Sequence, residues 1–172
     1  MNQDQLIDRE QIRDLLARYA HAADRLDRDM LTGIFWPEGS DDHGIFKGSA
    51  SEFVEWSIGA MAYSKINRHV LGQSFIQLAG EKAAVETYFD SFHRMEIEGT
   101  IFDFFVHGRY VDHMEKRGGE WRVLHRKVVV DASHGNPLAV DTAEMLGPVA
   151  EPNRGINGSQ DPALAFIASV LG

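Results

Sequence analysis

Near the start of the chain, Ile12, Leu15, Leu16, Tyr19, Ala22, Ala23 and Leu26 recur at the three-and-four spacing of one helical face. Asp8, with Gln11 three residues on, resembles a capping box and predicts where that helix begins. Asp29 is expected to cap a second, short helix running through Phe35 and stopped by Pro37. Residues 38–48 are rich in Gly and Asp and offer only Ile45 and Phe46 for burial, which predicts a short strand and a turn. Ser49 and Glu52 form a second capping box, and Phe53, Val54, Ile58 and Met61 carry a helix to about Tyr63.

The period then changes from helical to two. Residues 66–78, 83–98, 101–116 and 120–131 read as four long strands rich in Val, Ile, Phe and Tyr, split by short turns at 79–82, 99–100 and 117–119. Turns this short join antiparallel neighbours rather than crossovers. From Ala132 onward the pattern turns loop-like, marked by Gly135, Pro137, Gly147, Pro148, Pro152, Gly155 and Gly158. Asp161-Pro162 then opens a short apolar helix through Leu171, expected to close the mouth of a cone, its own or a neighbour's. Helices followed by a meander define an α+β domain over residues 1–131, with residues 132–172 as an extension packing on it.

A length of 172 residues leaves room for one core, and 44% hydrophobic with 25% charged residues excludes bulk disorder. Lys and Arg number 17 against 26 Asp and Glu, a net charge of −9, which argues against a nucleic-acid partner. With no cysteine, the chain has no disulfide, thiolate nucleophile or Cys-bearing zinc site. The polar start predicts no signal peptide, and no apolar run approaches the ~18 residues of a membrane span. A soluble, cytoplasmic protein is expected.

Four strings carry a resemblance to a known family. They are Arg18-Tyr19-Ala20-His21-Ala22-Ala23-Asp24, Arg68-His69-Val70-Leu71-Gly72-Gln73, Gly108-Arg109-Tyr110-Val111-Asp112 and Gly118-Gly119-Glu120-Trp121-Arg122-Val123. In order and spacing they resemble SnoaL-like members of the nuclear transport factor two-like superfamily, over residues 5–131. That group includes scytalone dehydratase, bile acid 7α-dehydratase and hexachlorocyclohexane dehydrochlorinase. The resemblance implies a cone-shaped α+β barrel, with helices packed on a strongly curved antiparallel or mixed sheet enclosing a pocket.

It also implies chemistry at particular positions. Asp24 and His69 match the dyad of the family's eliminating enzymes. A carboxylate accepting one imidazole N–H fixes the tautomer and leaves the other nitrogen free to take a proton, and free imidazole titrates near ~6.5, suited to neutral pH. Tyr19 matches a pocket tyrosine that could polarise a carbonyl or protonate a leaving hydroxyl. Arg126 matches a catalytic arginine able to stabilise developing negative charge. His43, Asp90, His93 and Phe35 are the expected substrate-binding residues. Asp90 and His93 differ in strand parity, so only one of them can face the pocket. Ala23 and His43 stand where scytalone dehydratase has pocket tyrosines, which argues against scytalone as the substrate.

His107, His113 and His125 fall on predicted strands, but no helical metal-binding spacing exists, so neither metal nor cofactor is expected. The first reading is a cofactor-independent, dehydratase-type lyase for a small apolar cyclic substrate of polyketide, steroid or aromatic type. One alternative is an isomerase or polyketide cyclase whose carboxylate base would be Asp103 or Asp90. The other is a non-catalytic ligand-binding or small-subunit module, which predicts a filled pocket or a separated Asp24–His69 pair. Val128-Val129-Val130 places apolar residues on both sheet faces and suggests a homo-oligomer, dimer or trimer.

Overall fold

The computed structural model describes residues 2–139 and 155–171. In chain order the elements are α1 (Gln3–Arg25), α2 (Arg28–Ile34), β1 (Phe35–Asp42), β2 (Lys47–Ser49), α3 (Ala50–Ala62), β3 (Ser64–Ala79), β4 (Lys82–Ile97), β5 (Thr100–Arg117), β6 (Glu120–Pro137) and α4 (Pro162–Leu171). The six strands form one mixed sheet in the order β2-β1-β6-β5-β4-β3. β1 runs parallel to β6, and every other described pairing is antiparallel. The fold is the expected α+β cone, with its sheet open between β2 and β3 rather than closed into a barrel.

Three local readings are corrected. α1 is capped by Asn2 with Gln5, not by Asp8 with Gln11; Asp8 instead accepts from Lys116 at 2.8 Å and from Trp121 Nε1 at 2.9 Å. α2 is capped by Asp27, and Phe35 opens β1 rather than ending a helix. β1 accommodates Pro37 because the β1–β6 register breaks between Phe35 and Ser40, where no ladder donor is required. The third correction concerns residues 132–137, which continue β6 instead of forming a loop. They pair with residues 102–107 of the long β5, and Gly135 is needed there because a Cβ would come within 2.7 Å of the Phe104 ring. Gly147, Pro148 and Pro152 lie outside the described residues.

The core forms where α1 and α3 press into the concave face. Ile12, Leu15, Leu16 and Tyr19 of α1 and Phe53 and Val54 of α3 bury against Val85, Phe89, Tyr110, Met114, Trp121 and Val123. Each large apolar side chain so buried is worth about 1.5–3 kcal/mol in transfer free energy. The concave face is read off the pairing: Phe89, Ser91 and His93 of β4 lie opposite Gly108, Val106 and Phe104 of β5. On β3, Asn67, His69 and Leu71 meet His93, Ser91 and Phe89. A bulge between Leu71 and Ser74 then shifts the parity, so Ser74, Ile76 and Leu78 meet Thr87, Val85 and Ala83 on that same side.

None of the described α4 residues lines the space between α1, α3 and the concave sheet. Asp161, just before α4, accepts from Arg25 at 2.6 Å and anchors the segment beside the C-terminal end of α1; Phe166 and Val170 remain exposed. Among the described residues, no helix is long and apolar enough to cross a membrane.

Candidate active site

A cavity of about 510 Å³ opens between α1, α3 and the concave sheet. Its walls are largely apolar, with Trp56, Met61, Phe89, Met95, Val106 and Val128 among them, and its polar groups are few: Tyr19, His43, His69, His93, Tyr110 and four serines. A mostly apolar pocket with a few convergent polar groups is the usual form of a small-molecule site.

His69 stands on β3 opposite the C-terminal end of α1. Its Nδ1 lies 2.7 Å from Asp24 Oδ1, while its own backbone N–H donates to Asp24 Oδ2 at 2.9 Å. A carboxylate only accepts, so Nδ1 carries a proton, and in the neutral ring Nε2 keeps its lone pair. Both carboxylate oxygens are engaged by one residue, which fixes the distance between helix and strand as well as the ring orientation. Asp24 is buried and the His69 side chain nearly so.

His93, across the strand pair, packs edge-on to His69 with ring centres 5.4 Å apart. Its Nδ1 donates to Asn67 Oδ1 at 2.9 Å, and Asn67 Nδ2 donates to the Met61 carbonyl at 2.9 Å. Asn157, from the segment before α4, accepts from the Asn67 backbone N–H at 3.2 Å and donates to the Ser64 carbonyl at 2.6 Å. Burial, reinforced by the His69 ring and only partly opposed by Asp24, pushes His93 down to about 4. His93 is therefore neutral near pH 7, with Nε2 an acceptor. An imidazole harder to protonate in the folded chain leaves the unfolded chain the tighter proton binder between ~6.5 and that value. Stability is thus lost as the pH falls through this window. Melting curves across it should show a smaller acid-side loss for His93→Gln than for the unmodified chain.

Behind the cavity wall lies a buried charged layer. Arg126 donates from Nε and Nη2 to the two Asp112 oxygens at 2.7 and 2.8 Å, and both side chains are wholly buried. The guanidinium carbon sits 4.0 Å from the Tyr19 ring centre and 4.3 Å from that of Tyr110. Burial opposes the Arg126 charge, but Asp112 more than offsets it and holds the group above its ordinary range. Burial likewise pushes the Tyr19 phenol up to about 12, with nearby Arg126 pulling the other way, so it stays protonated.

The eight residues expected from the sequence thus separate into three groups. Asp24 and His69 are joined, and Tyr19, His43, His69 and His93 line the cavity. Arg126 lies one layer back, behind Tyr19 and Tyr110. The expectation fails for Phe35 and Asp90: Phe35 is a core residue against Phe53, and Asp90 projects from the convex face to His107 Nδ1 at 2.6 Å. Strand parity decides between Asp90 and His93, and His93 faces inward. Asn67, Asp41 and Asp112 were missed. The inward parity of Asn67 and Asp112 on their strands was the available signal.

These features define a class: an α+β cone of the nuclear transport factor two-like kind, with a polar pair at the wall of an apolar cavity. A family model described as the SnoaL-like domain matches residues 4–127, and the chain belongs to that family. No curated protein sequence matches the chain. Among solved structures, a scytalone dehydratase candidate from Novosphingobium aromaticivorans superposes with a TM-score of 0.71 at 16% identity, covering 93% of this chain and 98% of its own. A type 2 hexachlorocyclohexane dehydrochlorinase, LinA, gives 0.70 at 16% identity, over 80% of this chain and 93% of its own. Rv3472 of Mycobacterium tuberculosis, a protein of unknown function, gives 0.62 at 19% identity, over 98% and 89%. At these identities the likeness is one of fold.

Proposed function

We propose that the chain is a cofactor-independent lyase that eliminates water from a small, apolar, cyclic hydroxyketone. The observation that carries this reading is the Asp24–His69 pair, hydrogen-bonded at 2.7 Å with its ring on the wall of an apolar cavity. His69 Nε2 takes the proton from the carbon beside the carbonyl, and Asp24 stabilises the imidazolium that results. The electrons released move toward the carbonyl oxygen, then return to form the carbon–carbon double bond as the β-hydroxyl takes up a proton and departs as water. The Tyr19 O–H donates toward the oxygen that gains charge, and His93 Nε2 accepts from a substrate hydroxyl. Two named proteins of the same fold, a dehydratase candidate and a dehydrochlorinase, are consistent with eliminating chemistry.

The alternatives are less well served. Asp103 is held at both oxygens by Arg94, at 2.7 and 2.8 Å, and Asp90 faces outward, so neither supplies the carboxylate base of an isomerase in this cavity. A binding module expects a filled pocket or a separated dyad, and neither describes this site. A homo-oligomer remains part of the proposal, built on the convex face where Phe75 and Tyr88 are exposed. The test of the reading is 3-hydroxy-1-tetralone, whose loss of water gives fluorescent 1-naphthol. Chelator-treated protein should form naphthol faster than buffer or a heat-denatured sample; equal rates would overturn the lyase reading.

A further inference from the structure

The cavity has a second imidazole–carboxylate pair. His43 follows β1 in a turn closed by its backbone N–H, which donates to the Phe46 carbonyl at 2.8 Å. Its ring stacks on Phe53, with centres 4.8 Å apart at 19°, and lies 5.8 Å from Trp56 and 6.4 Å from Tyr110. Nδ1 bonds to Asp41 Oδ1, so Nε2 is the free ring nitrogen of a side chain that lines the cavity. Asp41 is wholly buried, and its second oxygen has no hydrogen-bond partner among the described residues. The cavity is therefore bordered by two such pairs, His69–Asp24 from β3 and α1, and His43–Asp41 from β1 and its turn.

We propose that His43, held by Asp41, is the general acid that delivers a proton to the departing hydroxyl, while His69 acts as base. This assignment rests on the lyase reading above. Hydroxide is a poor leaving group, so elimination needs a donor placed apart from the base. The other cavity groups do not fill that role. Tyr19, raised to about 12, holds its proton tightly, and His93, lowered to about 4, carries none on Nε2 near pH 7. Ser57, Ser64, Ser91 and Ser133 bear only weakly acidic hydroxyls.

The acid role requires a proton on both ring nitrogens of His43, with the Asp41 carboxylate opposite the resulting charge. Asp41 pairs in register with Arg126 on β6, whose Nε and Nη2 go to Asp112 while Nη1, like Asp41 Oδ2, is buried without a hydrogen-bond partner among the described residues. Asp41 thus lies on the strand beside the buried Asp112–Arg126 pair, and a buried carboxylate without a counter-charge is costly. In its acid form His43 would supply that counter-charge through Nδ1. Among the described residues, the Tyr19 and Tyr110 phenols are held protonated by burial, His69 and His93 line the same cavity, Asp42 in the same turn pairs with Lys47, and α3 meets the His43 ring with Phe53 and Trp56. In turnover the C–H proton passes to His69, the Nε2 proton of His43 leaves in the product water, and solvent carries the proton from His69 back to His43.

The experiment compares two leaving groups on one ring: 3-hydroxy-1-tetralone, which needs a proton to lose water, and 3-chloro-1-tetralone, which loses chloride without one. His43→Gln should slow water loss by ~10²-fold or more and chloride loss by no more than a few-fold. His69→Ala should slow both, because both need the base. Since His43→Gln strands a buried Asp41, the double variant Asp41→Asn with His43→Gln provides a folded control, checked by melting curve, with the same expected split. An equal loss on both ketones, or no loss on the hydroxyketone, would overturn the acid role and leave the base reading standing. Undiminished chloride loss in folded His69→Ala would instead overturn the lyase reading itself.

Discussion

Replacing His69 by alanine is expected to slow elimination from 3-hydroxy-1-tetralone by ~10²–10⁴-fold, the usual worth of a positioned general base. Asp24→Asn should cost a comparable factor. It removes the charge that stabilises the imidazolium, and its amide can present a donor to Nδ1, favouring the tautomer with the proton on the wrong nitrogen. The two side chains act as one unit, 2.7 Å apart, so their effects should not add, and the double variant should be little slower than either single one. The fold should survive, because the His69 backbone N–H still finds an oxygen at position 24 in Asp24→Asn, as it does now at 2.9 Å. The measurement is kcat for all three variants beside a melting curve. Full activity in folded His69→Ala would return the chain to the ligand-binding alternative.

The largest loss of stability should come from a residue that touches no substrate. Asp112→Ala leaves the Arg126 guanidinium wholly buried with neither of its present acceptors, and breaking a buried pair from one side costs about 3–5 kcal/mol. Whole domains are stable by only about 5–15 kcal/mol. At roughly 2–4 °C per kcal/mol for a chain of this size, the melting temperature should fall by roughly 6–20 °C. Replacing both partners, Asp112→Leu with Arg126→Met, should recover most of that loss, since apolar groups of similar volume fill the space without a stranded charge. Calorimetry on the single and double variants decides it, and a single variant that melts with the unmodified chain would sink the account. The double variant also separates roles for Arg126: if it acts only by backing the Tyr19 and Tyr110 rings, elimination should persist once the fold is restored.

The helices and the strands were legible for different reasons. One face of α1 shows in the spacing from Ile12 to Leu26 because a helix packed on one side must keep its apolar residues there. β3 to β6 show because alternation follows from a sheet with a buried concave side. The end of β6 was not legible. Gly135 and Pro137 look like loop residues until the Phe104 ring across the ladder explains the glycine. Likewise, Arg126 reads as part of a solvated basic run with Arg122, His125 and Lys127, and its burial depends on Asp112, a partner supplied by another strand. At the site, Asp24 and His69 could be paired only through a family resemblance, since 45 residues separate them. Asp41 and Asn67 were illegible because their importance lies in what they hold, His43 and His93, rather than in any motif of their own.

The bulge in β3 divides one strand between two structural tasks. Upstream of it, His69 reaches the cavity wall and Asn67 holds His93; downstream, Ile76 belongs to the core, with Ser74 and Leu78 on the same side. In an unbroken strand, odd and even positions could not both point inward, and moving one set would rotate the other out. The irregularity at Gly72 and Gln73 uncouples them. Side chains before the bulge can be exchanged without turning those after it away from the core, so cavity wall and scaffold are separable within a single strand.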